Sequence, residues 1–271
     1  MIGRMLLRWE LQQSLRSYWF LANAGVFIVG GLLLMVFGQA DVSVLGYRGF
    51  ARALAALVQL ALFFVPLMAL FPSTASIAGD RELGTLDYLL AQPVTRGEVY
   101  TGKWAGVTAA LVLSLTLAFA VTGSIAAAKG VPSGLVAALL GLTVLLAMTF
   151  VSVGMWISAA ATSRTRAVSV GLTVWLLLIS LGSLGLMSAF VRWGLPAGWL
   201  QGWALLNPVE AYRVAAVAIL SPELELLGPA GAALVERFGR SGLVLGASGS
   251  MLGWAVVGFA AGRWLFGRSG A

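Results

Sequence analysis

The chain contains no cysteine and no histidine. Disulfides are therefore excluded, and the redox compartment cannot be read from thiol usage. Zinc, haem and Cys–His chemistry lose their usual ligands. Charge is also scarce: Asp, Glu, Lys and Arg make up 10% of 271 residues, while 60% are hydrophobic. Soluble domains are about 25% charged and about 45–50% apolar. An excess of that size cannot be hidden in one core, so lipid is the expected solvent for much of the surface.

The few charges are unevenly placed. Six apolar runs, near 19–38, 55–78, 104–128, 134–161, 167–190 and 243–262, hold no Asp, Glu, Lys or Arg. Each is long enough to cross a hydrocarbon layer, which takes about 20 helical residues. Composition thus predicts an all-α integral membrane protein of six spans, forming a single domain over 1–271. The second run holds Pro66 and Pro72, which should kink it. Glycine is abundant at 34 residues. Gly242, Gly246, Gly249, Gly253, Gly258 and Gly262 place small residues along the last run, as closely packed membrane helices require.

The net charge of +7 would suit nucleic acid in a soluble protein. Here the basic residues fall between apolar runs, so no nucleic-acid partner is expected. With the N-terminus inside, Arg4, Arg8, Arg16, Arg81, Arg96, Lys103, Arg164, Arg166, Arg263 and Arg268 all lie inside. The short outer loops hold Arg48, Arg52 and Lys129. The asymmetry predicts that both termini are cytoplasmic, with the inner arginines beside anionic lipid. Residues 4–18 read as an interfacial helix. Leu7, Leu11, Leu15 and Tyr18 mark its apolar face, and Arg4, Arg8, Gln12 and Arg16 line the neighbouring one.

Segment 191–242 is too polar to span. Asn207-Pro208-Val209-Glu210 reads as an N-cap, a first-turn proline and an acid. A helix over about 208–220 should follow, with Glu210 and Arg213 one turn apart. Ser221-Pro222 and Gly228-Pro229 punctuate two further short helices. The expectation is an outer cap of short helices before the last span, open to a periplasmic partner.

The stretch 79–104, GDRELGTLDYLLAQPVTRGEVYTGKW, is the most charged part of the chain. Asp80 is expected to cap a helix running to about Gln92, with Leu83, Leu86 and Leu90 as its apolar stripe. Pro93 ends that helix. Thr95 and Glu98 form a capping box, so a second helix starts at Arg96 and runs past Lys103 into the third span. A short helix, a turn and a rod entering the bilayer suit force transfer from an external motor.

Glu82-Leu83-Gly84-Thr85-Leu86, Leu89-Leu90, Gln92-Pro93-Val94, Thr95-Arg96, Glu98 and Gly102-Lys103 resemble the loop signature of type-two ABC exporter permeases. Gly46-Tyr47-Arg48-Gly49-Phe50 and Asn207-Pro208 are most similar to one subgroup, the NosY-like permeases of nitrous-oxide-reductase maturation. The resemblance implies a homodimer of permeases and two cytoplasmic ABC ATPase subunits that carry ATP and magnesium. It also implies a coupling helix within about 82–98 and a sulfur-containing or metal-related cargo. Asp80, Arg81, Glu82, Leu83, Gly84, Thr85, Leu86, Leu90, Pro93, Thr95, Arg96 and Glu98 then form the expected ATPase-coupling loop.

No catalytic constellation is visible within the runs, so the chain is not expected to be an enzyme. Gly97 to Lys103 matches a P-loop through its lysine, but Trp104 stands where Ser or Thr should hold magnesium. No cofactor and no metal is therefore expected on this chain. Met68, Met148, Met155, Met187 and Met251 are read as packing filler. Two alternatives stay open, an ion-coupled secondary transporter and a non-transporting assembly scaffold. The absence of ionisable groups from the runs argues against proton coupling.

Overall fold

A computed structural model describes residues 18–37, 50–128, 130–180, 197–220 and 228–268. The described residues are all-α, in nine helices. They are α1 (Tyr18–Phe37), α2 (Phe50–Glu82), α3 (Thr85–Leu90), α4 (Arg96–Ala128), α5 (Ser133–Ala160), α6 (Arg164–Ser180), α7 (Ala197–Leu206), α8 (Pro208–Leu220) and α9 (Gly228–Arg268). Four stretches among them are long and apolar enough to cross a membrane: Ala55–Glu82, Arg96–Ala128, Ser133–Ala160 and Phe238–Arg268. A shorter apolar stretch, Ala24–Leu33, lies in α1. The expected first and fifth runs extend into residues outside the described ones, so four candidate spans stand among the described residues where six are expected of the whole chain. The interfacial helix with Arg4, Arg8, Leu11 and Arg16 also lies outside the described residues.

The bundle is organised around α5, which packs against α2, α4, α6, α8 and α9. Leu139, Leu146, Phe150, Val151 and Met155 are buried along it. Its hydroxyls then make the cross-helix bonds that apolar packing cannot. Thr143 Oγ1 meets Tyr212 Oη at 3.0 Å, Thr149 Oγ1 donates to the Met251 carbonyl at 2.9 Å, and Ser152 Oγ accepts from Trp104 Nε1 at 2.9 Å. Such bonds in lipid satisfy groups that have no water to turn to. α2 runs unbroken through Pro66 and Pro72. One turn past Pro72, Ser158 Oγ accepts from the main-chain N–H of Ile77 (3.0 Å) and of Ala78 (2.9 Å). A side chain that enters the helical ladder in this way bends a helix.

The last-span glycines divide into two groups. A Cβ at Gly262 would lie 2.1 Å from Tyr100 Oη and 2.9 Å from Trp156 Cα, and one at Gly258 would lie 3.1 Å from the Ser152 backbone. These two let α9 close on α5. Gly246, Gly249 and Gly253 face open space.

The outer cap is corrected by the structure. Residues 197–220 fold back into the bundle as a hairpin. The Leu205 carbonyl accepts from Ser250 Oγ and the Leu206 carbonyl from Trp254 Nε1 (2.7 Å), so the end of α7 sits against the middle of α9. Asn207 turns the chain: its Oδ1 accepts from Val209 N–H (3.0 Å) and its Nδ2 donates to the Leu178 carbonyl of α6 (2.8 Å). α8 then returns, with Val214 and Ala218 clustering with Val235 and Leu243. Trp254 lies about 24 Å along α9 from Phe238, and Leu178 about 21 Å along α6 from Arg164. The turn therefore lies level with the middle of the candidate span in α9. Ten of the 13 residues of α8 are buried, against α2, α5 and α9 among others. The predicted bounds of α8 hold, but its place does not. Irregular backbone is tolerated at such depth where protein surrounds it, and three neighbouring helices do so here. Gly228, expected to open a short helix, begins the arm of α9 that precedes a break at Gly239 (φ 69°).

Candidate functional site

The site is the connection between α2 and α4. α2 continues beyond the apolar run to Glu82, so Asp80 lies inside a helix and does not cap one. The chain breaks at the first residue that can leave the helix without strain. Gly84 has φ 71°, the left-handed region that glycine enters without cost. Leu83 N–H donates to the Gly79 carbonyl (3.0 Å), Gly84 N–H to Arg81 (3.3 Å), and Thr85 Oγ1 to the Asp80 carbonyl (3.2 Å). The next helix is therefore short, six residues in place of the expected twelve.

α3 does not bury the whole expected stripe. Leu86 is 6% exposed and Leu90 half-buried, but Leu83 is 75% exposed. Tyr88, which the stripe pattern missed, is also 75% exposed. Two positions on from Leu86, it points away from the face that α3 lays on α2. An aromatic flanked by Asp87 and Leu89 was a signal the sequence offered.

Beyond Pro93 the capping box forms as expected. Glu98 Oε2 accepts from Thr95 N–H (2.8 Å) and Thr95 Oγ1 (2.9 Å), and Glu98 N–H donates to Thr95 Oγ1 (3.2 Å). α4 starts at Arg96 and is one helix to Ala128. Arg96 lies over the Phe266 ring, 5.9 Å from its centroid.

Three consecutive residues at the end of α2 reach three different helices. Asp80 Oδ2 pairs with Lys103 Nζ of α4 at 2.7 Å. The Arg81 guanidinium donates to the carbonyls of Ala161 and Ala159 (3.4 Å to the latter), at the end of α5. Glu82 Oε2 accepts from the N–H of Arg164, the first residue of α6, at 2.7 Å. The signs match the helix ends, a cation on free carbonyls and an anion on a free N–H. Of the expected coupling residues, Asp80, Arg81 and Glu82 thus hold the fold together. Leu83, Gly84, Thr85, Pro93, Thr95 and Glu98 stand at the surface.

The description "ABC-2 family transporter protein" matches residues 4–271. The chain belongs to the ABC-2 family of transporter proteins. It is 30% identical over 218 residues to the probable ABC transporter permease protein NosY of Pseudomonas aeruginosa, covering 77% of this chain and 79% of the relative. The probable permease NosY of Stutzerimonas stutzeri is 30% identical over 217 residues, with the same coverage.

ABC-2 permeases are non-catalytic membrane components that work with an ATPase subunit. The geometry agrees with that division. Gly97 to Lys103, the stretch that mimics a P-loop, lies wholly inside α4, and Lys103 is held by Asp80. A loop of free N–H groups that could cradle phosphate does not form there. Met68, Met155 and Met251 are buried in the permease core, as filler should be.

The hairpin brings charge into the permease where the apolar runs have none. Glu210 is 4% exposed and pairs with Arg213 one turn on, whose Nε lies 2.8 Å from Glu210 Oε2. Ionisable groups at membrane depth pair with one another and line functional cavities. Of the polar residues in the spans, Thr108 and Ser114 of α4 are buried with no bonding partner for their hydroxyls. Thr116 is exposed and bonds its own helix at the Val112 carbonyl (2.7 Å).

Proposed function

We propose that this chain is the membrane-spanning subunit of an ATP-driven exporter, with six spans and both termini in the cytoplasm. Two copies pair, and α3 with the preceding turn docks on a cytoplasmic ABC ATPase subunit. One observation supports the docking most. Leu83, in the turn before α3, and Tyr88, on the six-residue α3 whose opposite face at Leu86 is seated on α2, both present apolar surface to solvent. Exposed apolar side chains on a braced ridge mark a protein contact. By likeness to the NosY permeases, the cargo is a sulfur-containing or metal-related species for copper-enzyme maturation. A partner on the outer face would meet the arm of α9 before Gly239, where Phe238 is exposed.

Copurification of the ATPase subunit tests this reading. Leu83→Asp and Tyr88→Ala should each deplete the ATPase from the purified complex while the permease keeps its melting temperature. Full retention of the ATPase by both variants overturns the docking surface. An ion-coupled transporter is favoured by a different observation, the buried Glu210–Arg213 pair. Transport that stops when the proton gradient is collapsed in the presence of ATP would support that alternative.

A further inference from the structure

We propose that Asp80, Arg81 and Glu82 are positioning residues that divide a displacement of α3 among α4, α5 and α6. The inference rests on the reading of α3 as the ATPase contact. It replaces a single rod, α4, with a three-way transmission.

Successive residues of a helix point about 100° apart around its axis, so three in a row fan out toward three neighbours. Each of the three finds a partner that cannot yield. Lys103 is only 8% exposed, so its ammonium cannot exchange Asp80 for water at little cost. The carbonyls of Ala159 and Ala161 and the N–H of Arg164 belong to backbone, and move only if α5 or α6 moves. Hydrogen bonds with an ionised partner are the strong class and lose energy steeply when stretched or tilted. One turn earlier, Ser158 fastens α5 to the N–H groups of Ile77 and Ala78, so α2 and α5 are joined at two levels.

Two of the same residues are also where α3 is hung. The Arg81 carbonyl accepts from Gly84 N–H and the Asp80 carbonyl from Thr85 Oγ1. Their backbones carry α3 while their side chains hold the bundle. α4 is reached twice, along the chain through the Thr95–Glu98 box and sideways through Lys103. α5 and α6 are covalently remote from α3, and these polar contacts give them a direct connection to its base. None of the three side chains is needed on the exposed surface, which is left to Leu83 in the turn and Tyr88 on α3.

The chain has no cysteine, so single reporters are clean. A nitroxide on Ala120→Cys follows α4, and one on Thr173→Cys follows α6; both positions are exposed. The spectra are taken from the permease–ATPase complex with and without trapped ATP. In the wild type both reporters should respond. Glu82→Gln keeps an acceptor but removes the charge that makes the bond strong, so it should cut the α6 response by about threefold and spare α4. Asp80→Asn should weaken the α4 response, and the exchange Asp80→Lys with Lys103→Asp should restore it. The ATPase should remain bound in every variant. Undiminished responses at both reporters overturn the inference, as does loss of the ATPase from Glu82→Gln, which would make Glu82 a docking contact. If Asp80→Asn does not fold, Glu82→Gln at its exposed carboxylate decides alone. A wild-type complex without ATPase sinks the docking reading, and this inference with it.

Discussion

The two ends of the bundle are held by different chemistry. At the α3 end, charged side chains tie helix ends to one another, from Asp80 to Lys103, Arg81 to α5 and Glu82 to α6. At the other end a hairpin is wedged between α9 and α5, held by packing, by hydroxyl and indole bonds to carbonyls, and by one internal ion pair. There α9 shows three glycines with open space around them, beside a groove of about 530 Å³ lined by Gly202, Leu205, Leu206, Gly246, Gly253 and Trp254. Fixed polar joints transmit motion, whereas a broken helix with free space beside it can change its packing. On the docking reading proposed above, the fixed joints sit at the input from the ATPase.

Removing one charge at the far end should have the largest effect on stability. Arg213→Ala leaves Glu210 buried without its partner and should cost about 3 kcal/mol in thermal unfolding of the detergent-solubilised permease. Glu210→Leu combined with Arg213→Leu should recover most of that loss, because two apolar residues leave no unpaired charge. If the double variant is as unstable as the single one, the pair serves some purpose beyond mutual neutralisation.

The glycines sharpen the contrast within one helix. Gly262→Ala must displace the Tyr100 hydroxyl or the Trp156 backbone and should cost about 1–3 kcal/mol. Gly249→Ala meets nothing within 4 Å and should gain up to about 1 kcal/mol of helix propensity. Equal melting temperatures for the two variants would erase the distinction between the closed and open faces of α9.

The smallest expected effect is at the capping box. Thr95→Ala should cost about 1 kcal/mol, confined to the first turn of α4. Faster amide exchange at Gly97 and Glu98, with the rest of α4 unchanged, is the expected readout. Loss of protection along the whole of α4 would mean that the box anchors the rod rather than its end.

What could be read in advance was local. The capping box at Thr95, the start of α4 at Arg96 and the bounds of α8 at Pro208 and Leu220 each follow from residues within a few positions of one another. What was misread depended on distance. Asp80 looks like a helix cap from its neighbours, because Lys103 lies 23 positions away on another helix. Arg81 and Glu82 also have partners within the chain, about 80 residues further on, which no local pattern reveals. Tyr88 was overlooked because an apolar stripe marks the buried side of a helix and says nothing of its opposite.

Composition alone decided that this chain is helical and lives in lipid, since no soluble core can absorb so much apolar surface or leave so few charges. Spacing decided where several helices begin. Only the tertiary structure decided that α8 turns inward. Two charges in 13 residues read as a surface helix until Arg213 sits against Glu210 and Tyr212 meets Thr143. The cost of placing a polar group in lipid depends on its partner, and a partner is a property of the fold.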